Sequence, residues 1–371
     1  MDGGPKAGRL RFMRTRVIEL ADGQDRAGAG NLRTMAMVGP RARGDKPRPL
    51  PLIAMCWRDV HATLAAARDV GVAVVAIDTQ RDRVAGSMWI AAKPGAINVG
   101  LVGRHGQCDL FLDGDAALSL RHLVVIVEPA TDWGGPGGAD VRYRLVDLRT
   151  GTGFIDEAGR MLEAATALGP AFVMVGRYLL LCFPTGGDEW PRELESALAL
   201  LPERIYVDER DAEPDRWQRQ RRGFAEGTNV EDTSVKPAPV GASVITAVRG
   251  PARARIAAVD GGEARIGQFE LSSRLGRDVI DVGAEALRRG LLLGRYSRCD
   301  TAGARSLALE RISRVHVLVI EIAGRVWMID AASTNGIAVG GKSVRVHAIG
   351  DGEQLDLGGA GAVRWRVDHA C

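Results

Sequence analysis

Three short blocks of this chain recur, in the same order, some 190 residues further on. Gly103-Arg104-His105-Gly106-Gln107-Cys108-Asp109 returns as Gly294-Arg295-Tyr296-Ser297-Arg298-Cys299-Asp300, with the Gly-Arg and Cys-Asp pairs at identical spacing. Leu118-Ser119-Leu120-Arg121-His122 returns as Ile312-Ser313-Arg314-Val315-His316, each followed by an apolar run. Val146-Asp147 to Thr152-Gly153 returns as Ile329-Asp330 to Asn335-Gly336. Between the second and third blocks the first copy is 11 residues longer, and the insert around Pro129–Gly138 accounts for nearly all of it as a longer hairpin loop. Ordered blocks with matched internal spacing describe one fold used twice.

That fold is mainly β. From Gly71 to about Pro184 the text is short apolar runs punctuated by Gly, Asp and Pro, and the pattern resumes after Ser243. With 371 residues and 46% apolar content, the chain is long enough for two cores plus connecting segments. Residues 1–48, rich in Gly, Pro and Arg, read as a flexible basic tail, and Val60–Arg68 as a short helix. Trp190, Leu194, Leu198 and Leu201 fall at helical spacing, so 188–201 reads as a helix. The charged and then Pro/Ser/Thr-containing stretch 208–239 reads as linker. The expected organisation is a tail (1–48), a β domain (49–185), a helix with linker (186–242) and a second β domain (243–371).

The blocks place a cation, a hydroxyl and an amide at strand edges, where loops present side chains. Arg295 follows Gly294 at the end of Leu291-Leu292-Leu293, Ser313 precedes the strand Val317–Ile322, and Arg314 adds a second cation. A phosphothreonine carries nearly two negative charges and three strong acceptors, and a guanidinium can fork two donors onto it. His316 opens an apolar strand, where imidazole usually pins a loop. Thr334-Asn335-Gly336 reads as a tight turn whose Asn can also hold the main chain of an extended peptide.

In order and spacing these residues resemble the forkhead-associated (FHA) domain, a phosphothreonine-reading β-sandwich, over about 250–371. The resemblance implies phosphate contacts from Arg295 and Ser313, a peptide-backbone contact from Asn335, further contacts from Arg314 and Thr334, and loop architecture from Gly294, His316 and Gly336. In the first copy Arg104, Ser119 and His122 persist, Arg121 lies next to the position of Arg314, and Thr152 stands where Asn335 would. The expected architecture is therefore two FHA-like β-sandwich domains joined by a partly helical, charged linker, the N-terminal copy degenerate and a weaker or altered binder.

Other classes find less support. Net charge is +3 with the signs interspersed, and the one basic cluster, Arg216–Arg222, suits a solvated helix end or linker better than a nucleic-acid face. Five scattered cysteines form no CxxC pair, which argues against a zinc site or disulfide framework. Gly134–Gly138 and Gly358–Gly361 lack the strand-and-helix context of a nucleotide loop. No catalytic constellation and no cofactor motif is found, and no membrane-span-length apolar run, so the chain reads as cytoplasmic. The expected function is a non-enzymatic, phosphothreonine-dependent adaptor in Ser/Thr kinase signalling, whose partner is a phosphorylated protein such as a kinase or its substrate. The competing expectation is a structural scaffold that binds partners without phosphate.

Overall fold

The computed structural model describes residues 49–130, 141–187, 189–209, 242–250 and 265–368. The expected tail 1–48, the basic cluster Arg216–Arg222 and the glycine-rich insert 134–138 lie outside them.

The C-terminal repeat folds as two antiparallel layers. One contains β13 (Arg265–Ser273), β14 (Gly276–Gly283), β18 (Ile337–Val339), β19 (Lys342–Val344), β21 (Gln354–Leu357) and β22 (Gly361–Val367), in the order β14-β13-β22-β21-β18-β19. The other contains β15 (Leu291–Leu293), β16 (Val317–Ile322), β17 (Arg325–Asp330) and β20 (Val346–Ile349), in chain order. A short helix, α3 (Ala284–Arg289), leads from the first layer to the second. Phe269, Leu293, Val317, Val319, Met328, Leu355 and Trp365 close the core between the layers.

The N-terminal repeat has the same strand order. β1 (Gly71–Asp78), β2 (Arg83–Ala91), β7 (Phe154–Ile155), β9 (Ala171–Val175) and β10 (Tyr178–Thr185) run β2-β1-β10-β9-β7. β3 (Asn98–Gly103), β5 (Leu123–Val127) and β6 (Tyr143–Asp147) form the second layer, with the short β4 (Leu110–Phe111) beside β3. One strand, β8 (Met161–Ala167), does the work that β19 and β20 share in the other repeat. Its first residues pair with β7 and its later ones with β6, so the two layers join into one sheet.

The second layers of the two repeats pack on each other. Along β5, Leu123, Val125 and Val127 face the N-terminal core, while Val124 and Ile126 enter a separate cluster. In β16, Val317 and Val319 likewise face their own core, while Leu318 and Ile320 join that same cluster, with Leu101, Val146, Leu292, Trp327 and Ile329. A layer buried on both faces must be written as a continuous apolar run, and Leu123-Val124-Val125-Ile126-Val127 is one. Paired charges frame the contact: Arg149 Nη2 lies 3.3 Å from Asp300 Oδ2, and Arg345 clasps Asp109. Asp109 and Asp300 occupy matching repeat positions and accept matching amides, Leu101 N–H at 2.8 Å and Leu292 N–H at 2.7 Å.

Four expectations are corrected. The first helix, α1, spans Pro49–Ala66 rather than Val60–Arg68; Pro49 and Pro51 resemble breakers, yet the first helical turn needs no amide from them. Its Ile53, Cys56, Trp57, Val60 and Leu64 recur at helical spacing and pack on β1 and β10. The second helix, α2, is confined to Leu194–Leu200, and Trp190 docks ahead of it against Phe183. The expected linker 186–242 contains a strand, β11 (Arg204–Asp208), parallel to β12 (Ser243–Arg249). Finally β12, expected to open the C-terminal domain, pairs antiparallel with β8 of the N-terminal repeat. Local pattern marks residues 243–249 as a strand but carries no information on which sheet edge receives it.

Candidate functional site

Gly294 follows β15 where two loops touch. A Cβ there would stand 2.3 Å from Arg314 O, so only glycine allows the approach. The contact is zipped by Arg295 N–H to Ser313 O at 3.3 Å and Tyr296 N–H to Arg314 O at 3.0 Å. Arg295 and Ser313, 18 positions apart in the chain, thereby become neighbours. Arg295 donates through Nε to Ile312 O at 2.9 Å, which fixes the guanidinium plane on an otherwise exposed side chain. Its remaining N–H donors are those available to a ligand.

Ser313 is buried, and its Oγ accepts the Thr334 N–H at 2.9 Å and lies 3.5 Å from Thr334 Oγ1. The hydroxyl proton still has an outlet toward the exposed Thr334 edge. Arg314 is exposed next to it. Asn335 is exposed too, and its Nδ2 donates to Arg311 O at 2.6 Å, which holds the amide upright between two loops and leaves Oδ1 as an acceptor.

His316 is fully buried and joins both loops. Nδ1 accepts the Ser313 N–H at 3.0 Å and Nε2 donates to Gly336 O at 3.0 Å, which is the neutral tautomer. Burial pushes its pKa below the ordinary imidazole value, against the favourable pull of the Gly336 carbonyl and Asp330. An imidazole so enclosed is a brace, as its place at the head of an apolar strand implied.

The N-terminal repeat keeps this scaffold almost bond for bond. Gly103 would bring a Cβ to 2.3 Å from Leu120 O. Arg104 donates from Nε to Leu118 O at 2.6 Å, and His122 links Ser119 N–H at 3.2 Å with Gly153 O at 2.8 Å. The third block differs. Thr150 Oγ1 donates to Asp147 and accepts the Gly153 N–H at 3.1 Å, and it lies 3.2 Å from Thr152 Oγ1. The loop is tied to itself rather than to Ser119. Thr152 is brought to the rim with no amide to offer.

Arg121 does not belong to that rim, contrary to expectation. Its Nε donates to Ala332 O at 2.9 Å, and Nη2 to the same oxygen, across the contact between repeats. It matches Val315 in the repeat, which packs in the interface cluster, while Arg314 one position earlier is exposed.

Several supporting residues escaped the sequence reading. Thr301 exchanges two hydrogen bonds with Gly294, at 3.1 and 3.0 Å. Asp330 accepts Ser333 N–H at 3.0 Å, and Asp147 accepts Thr150 N–H at 3.0 Å. The aspartates were legible: each lies three residues ahead of a Ser or Thr in the third block, the spacing of a side chain capping a turn. Arg311, which contributes only its carbonyl, left no signal. Among the described residues no cluster of His, Cys, Asp or Glu could hold a metal, and no helix is long and apolar enough to cross a membrane.

The C-terminal domain is thus a two-layer β fold whose loops bear a rim of cation, hydroxyl and amide. Residues 291–358 match the family model for the FHA domain, so the chain carries one FHA domain in its C-terminal repeat. Solved structures similar to part of the chain include the FHA-1 domain of Rv1747 from Mycobacterium tuberculosis, at 24% identity over 28% of this chain and 97% of that one, with a TM-score of 0.23. The FhaA FHA domain, complexed with the intracellular domain of Rv3910, is 20% identical over 27% of this chain and 99% of its own, also at 0.23. Mycobacterium tuberculosis EmbR in complex with a low-affinity phosphopeptide is 16% identical over 28% of this chain and 25% of its own, at 0.23. No curated protein matches the chain.

Proposed function

We propose that this chain is an adaptor that binds phosphothreonine-containing proteins through the C-terminal rim, in the setting of Ser/Thr kinase signalling. The observation that carries the proposal is the pairing of the Arg295 and Ser313 loops, which brings a fixed guanidinium and a buried hydroxyl together beside Thr334 and Asn335. Arg295 and Ser313 take the phosphate, with Arg314 and Thr334 extending the donor set. Asn335 holds the peptide main chain through its free Oδ1 and the loop through Nδ2. Charge-assisted hydrogen bonds contribute about 1.5–3 kcal/mol each, so three of them make binding depend on the phosphate. The ordering of the peptide offsets part of that gain and leaves the complex reversible.

The N-terminal repeat is, in this reading, a second FHA-like domain that has lost the amide contact. Its shared strand order and its Arg104, Ser119 and His122 support the assignment. The domain limits that fit the pairing are 49–249 and 265–368. The test uses the full chain and peptides selected from a random phosphothreonine library. Binding that is lost on dephosphorylation, and lost again in Arg295→Ala with unchanged far-ultraviolet circular dichroism, is the expected result. Equal binding of phosphorylated and unphosphorylated peptides would establish the scaffold alternative instead.

A further inference from the structure

We infer that the N-terminal repeat is a positioning element for the C-terminal recognition loop, and that Arg121 is the residue through which it acts. The inference rests on the phosphopeptide role of the C-terminal rim. It begins with Ala332, which has φ of 53°, in the left-handed region that is strained for a residue with a Cβ. A backbone held there needs outside constraints, and the loop has two. From within the repeat, Asp330 Oδ1 accepts the Ser333 N–H at 3.0 Å. From the other repeat, Arg121 directs Nε and Nη2 onto the single carbonyl oxygen of Ala332. The next residues are Ser333, Thr334 and Asn335, so the gripped carbonyl is the last fixed point before the peptide-contact edge.

The converse contact gives the arrangement its meaning. Arg298 of the C-terminal repeat donates from Nη1 to Thr150 O, and its guanidinium lies 3.1 Å from where a Cβ on Gly151 would be. Arg149, at the position matching Ala332, has φ of 58° and reaches across to Gly290 O at 2.9 Å and to Asp300. Each third-block loop therefore carries a left-handed residue and is held by an arginine of the opposite repeat. The grips are not copies: Arg121 matches Val315 and Arg298 matches Gln107, so no ancestral symmetry of the fold supplied both. A contact that only glued the repeats together could use any surface. These arginines engage the loops that, in the C-terminal copy, carry Thr334 and Asn335.

Arg121 is half-buried, and the hydrogen bonds of the rim side chains Arg295, Ser313 and Asn335 lie within the C-terminal repeat; it feels the charge of the rim residue Arg314, which Arg121→Lys leaves unchanged. Its effect on binding is through loop geometry. The experiment compares full-length wild type, Arg121→Ala and Arg121→Lys for affinity toward a library-selected phosphothreonine peptide, alongside amide hydrogen exchange in the unliganded proteins. Arg121→Ala is expected to bind about ten-fold more weakly and to exchange faster at Ser333 and Thr334, whose N–H groups are bonded to Asp330 and Ser313, while β16 amides keep their protection. Arg121→Lys retains the charge but loses the paired donors, and falls between the two. Wild-type affinity in Arg121→Ala, unchanged exchange at Ser333 and Thr334, or a uniform loss of protection across β16 and β17 would each overturn the inference. If wild type binds no phosphopeptide, the functional reading falls on its own, and the exchange data still decide whether Arg121 positions the loop.

Discussion

His316 offers the sharpest test of how the Ser313 and Gly336 loops are held. Replacing it with alanine removes the acceptor for Ser313 N–H and the donor to Gly336 O, both at 3.0 Å. A buried polar group left without a partner costs about 1–3 kcal/mol. Two such groups, with some relief from water entering the space vacated, place the loss of stability at roughly 3–4 kcal/mol. The imidazole also predicts a pH dependence whose sign follows from its burial. Its folded-state pKa lies below the unfolded value near ~6.5, so the unfolded chain binds a proton that the folded chain refuses. Stability from this group is fully present above that value and declines as pH falls from about 6.5 toward the lower folded pKa, by up to ~1.4 kcal/mol per pH unit. Guanidinium unfolding of wild type, His316→Ala and His316→Gln across pH 7.5 to 5.5 measures both effects. Glutamine can restore one of the two bonds, so it should recover part of the stability while removing the contribution of this group to the slope. A loss below about 1 kcal/mol in His316→Ala, or an unchanged slope in both variants, would refute the picture of a neutral imidazole bracing two loops.

Gly294→Ala places a methyl 2.3 Å from Arg314 O and should cost at least ~2 kcal/mol, with phosphopeptide binding lost before the fold; thermal melting and peptide titration on the same sample separate the two. Gly103→Ala makes the matching clash with Leu120 O in the N-terminal repeat, and should lower stability similarly while affecting binding less. Leu318→Asp puts an unpaired carboxylate into the cluster between repeats, and is expected to open that contact and raise proteolytic sensitivity without unfolding the sandwich cores. A cleavage pattern identical to wild type would mean the apolar contact between repeats is dispensable.

Much of the site could be read from the blocks because their residues are constrained twice. Gly294 must be small, Ser313 must offer a hydroxyl to the Thr334 N–H, His316 must link the Ser313 N–H to Gly336 O, and Gly336 must accept the left-handed turn with φ of 71°. Such demands fix residue types at fixed spacing, which a sequence displays. What the sequence hid is of two kinds. Contacts through a carbonyl, such as those of Arg311 and Ala332, accept any side chain and leave no mark. Pairings between distant segments, such as β12 with β8, are chosen by which sheet edge is open, and the local pattern of 243–249 is the same for either edge. The helix α1 starts at Pro49, 11 residues before the expected Val60, because prolines in the first turn cost no backbone hydrogen bond.

The contact between repeats was legible in principle and shows what a repeat can conceal. A sheet with one solvated face alternates apolar and polar residues, as β13 does with Gln268, Phe269, Glu270, Leu271 and Ser272. Leu123–Val127 and Val317–Ile320 do not alternate, and nothing in a single sandwich explains apolar residues on the outward face. The two unbroken runs occupy the same place in each copy, so one surface is apolar twice, and the economical way to bury both is against each other. That pairing then brings Arg121 to one third-block loop and Arg298 to the other. The third blocks differ in the same physical terms: the N-terminal loop is tied through Thr150 and held by Arg298, so its shape does not depend on the side chain at position 152.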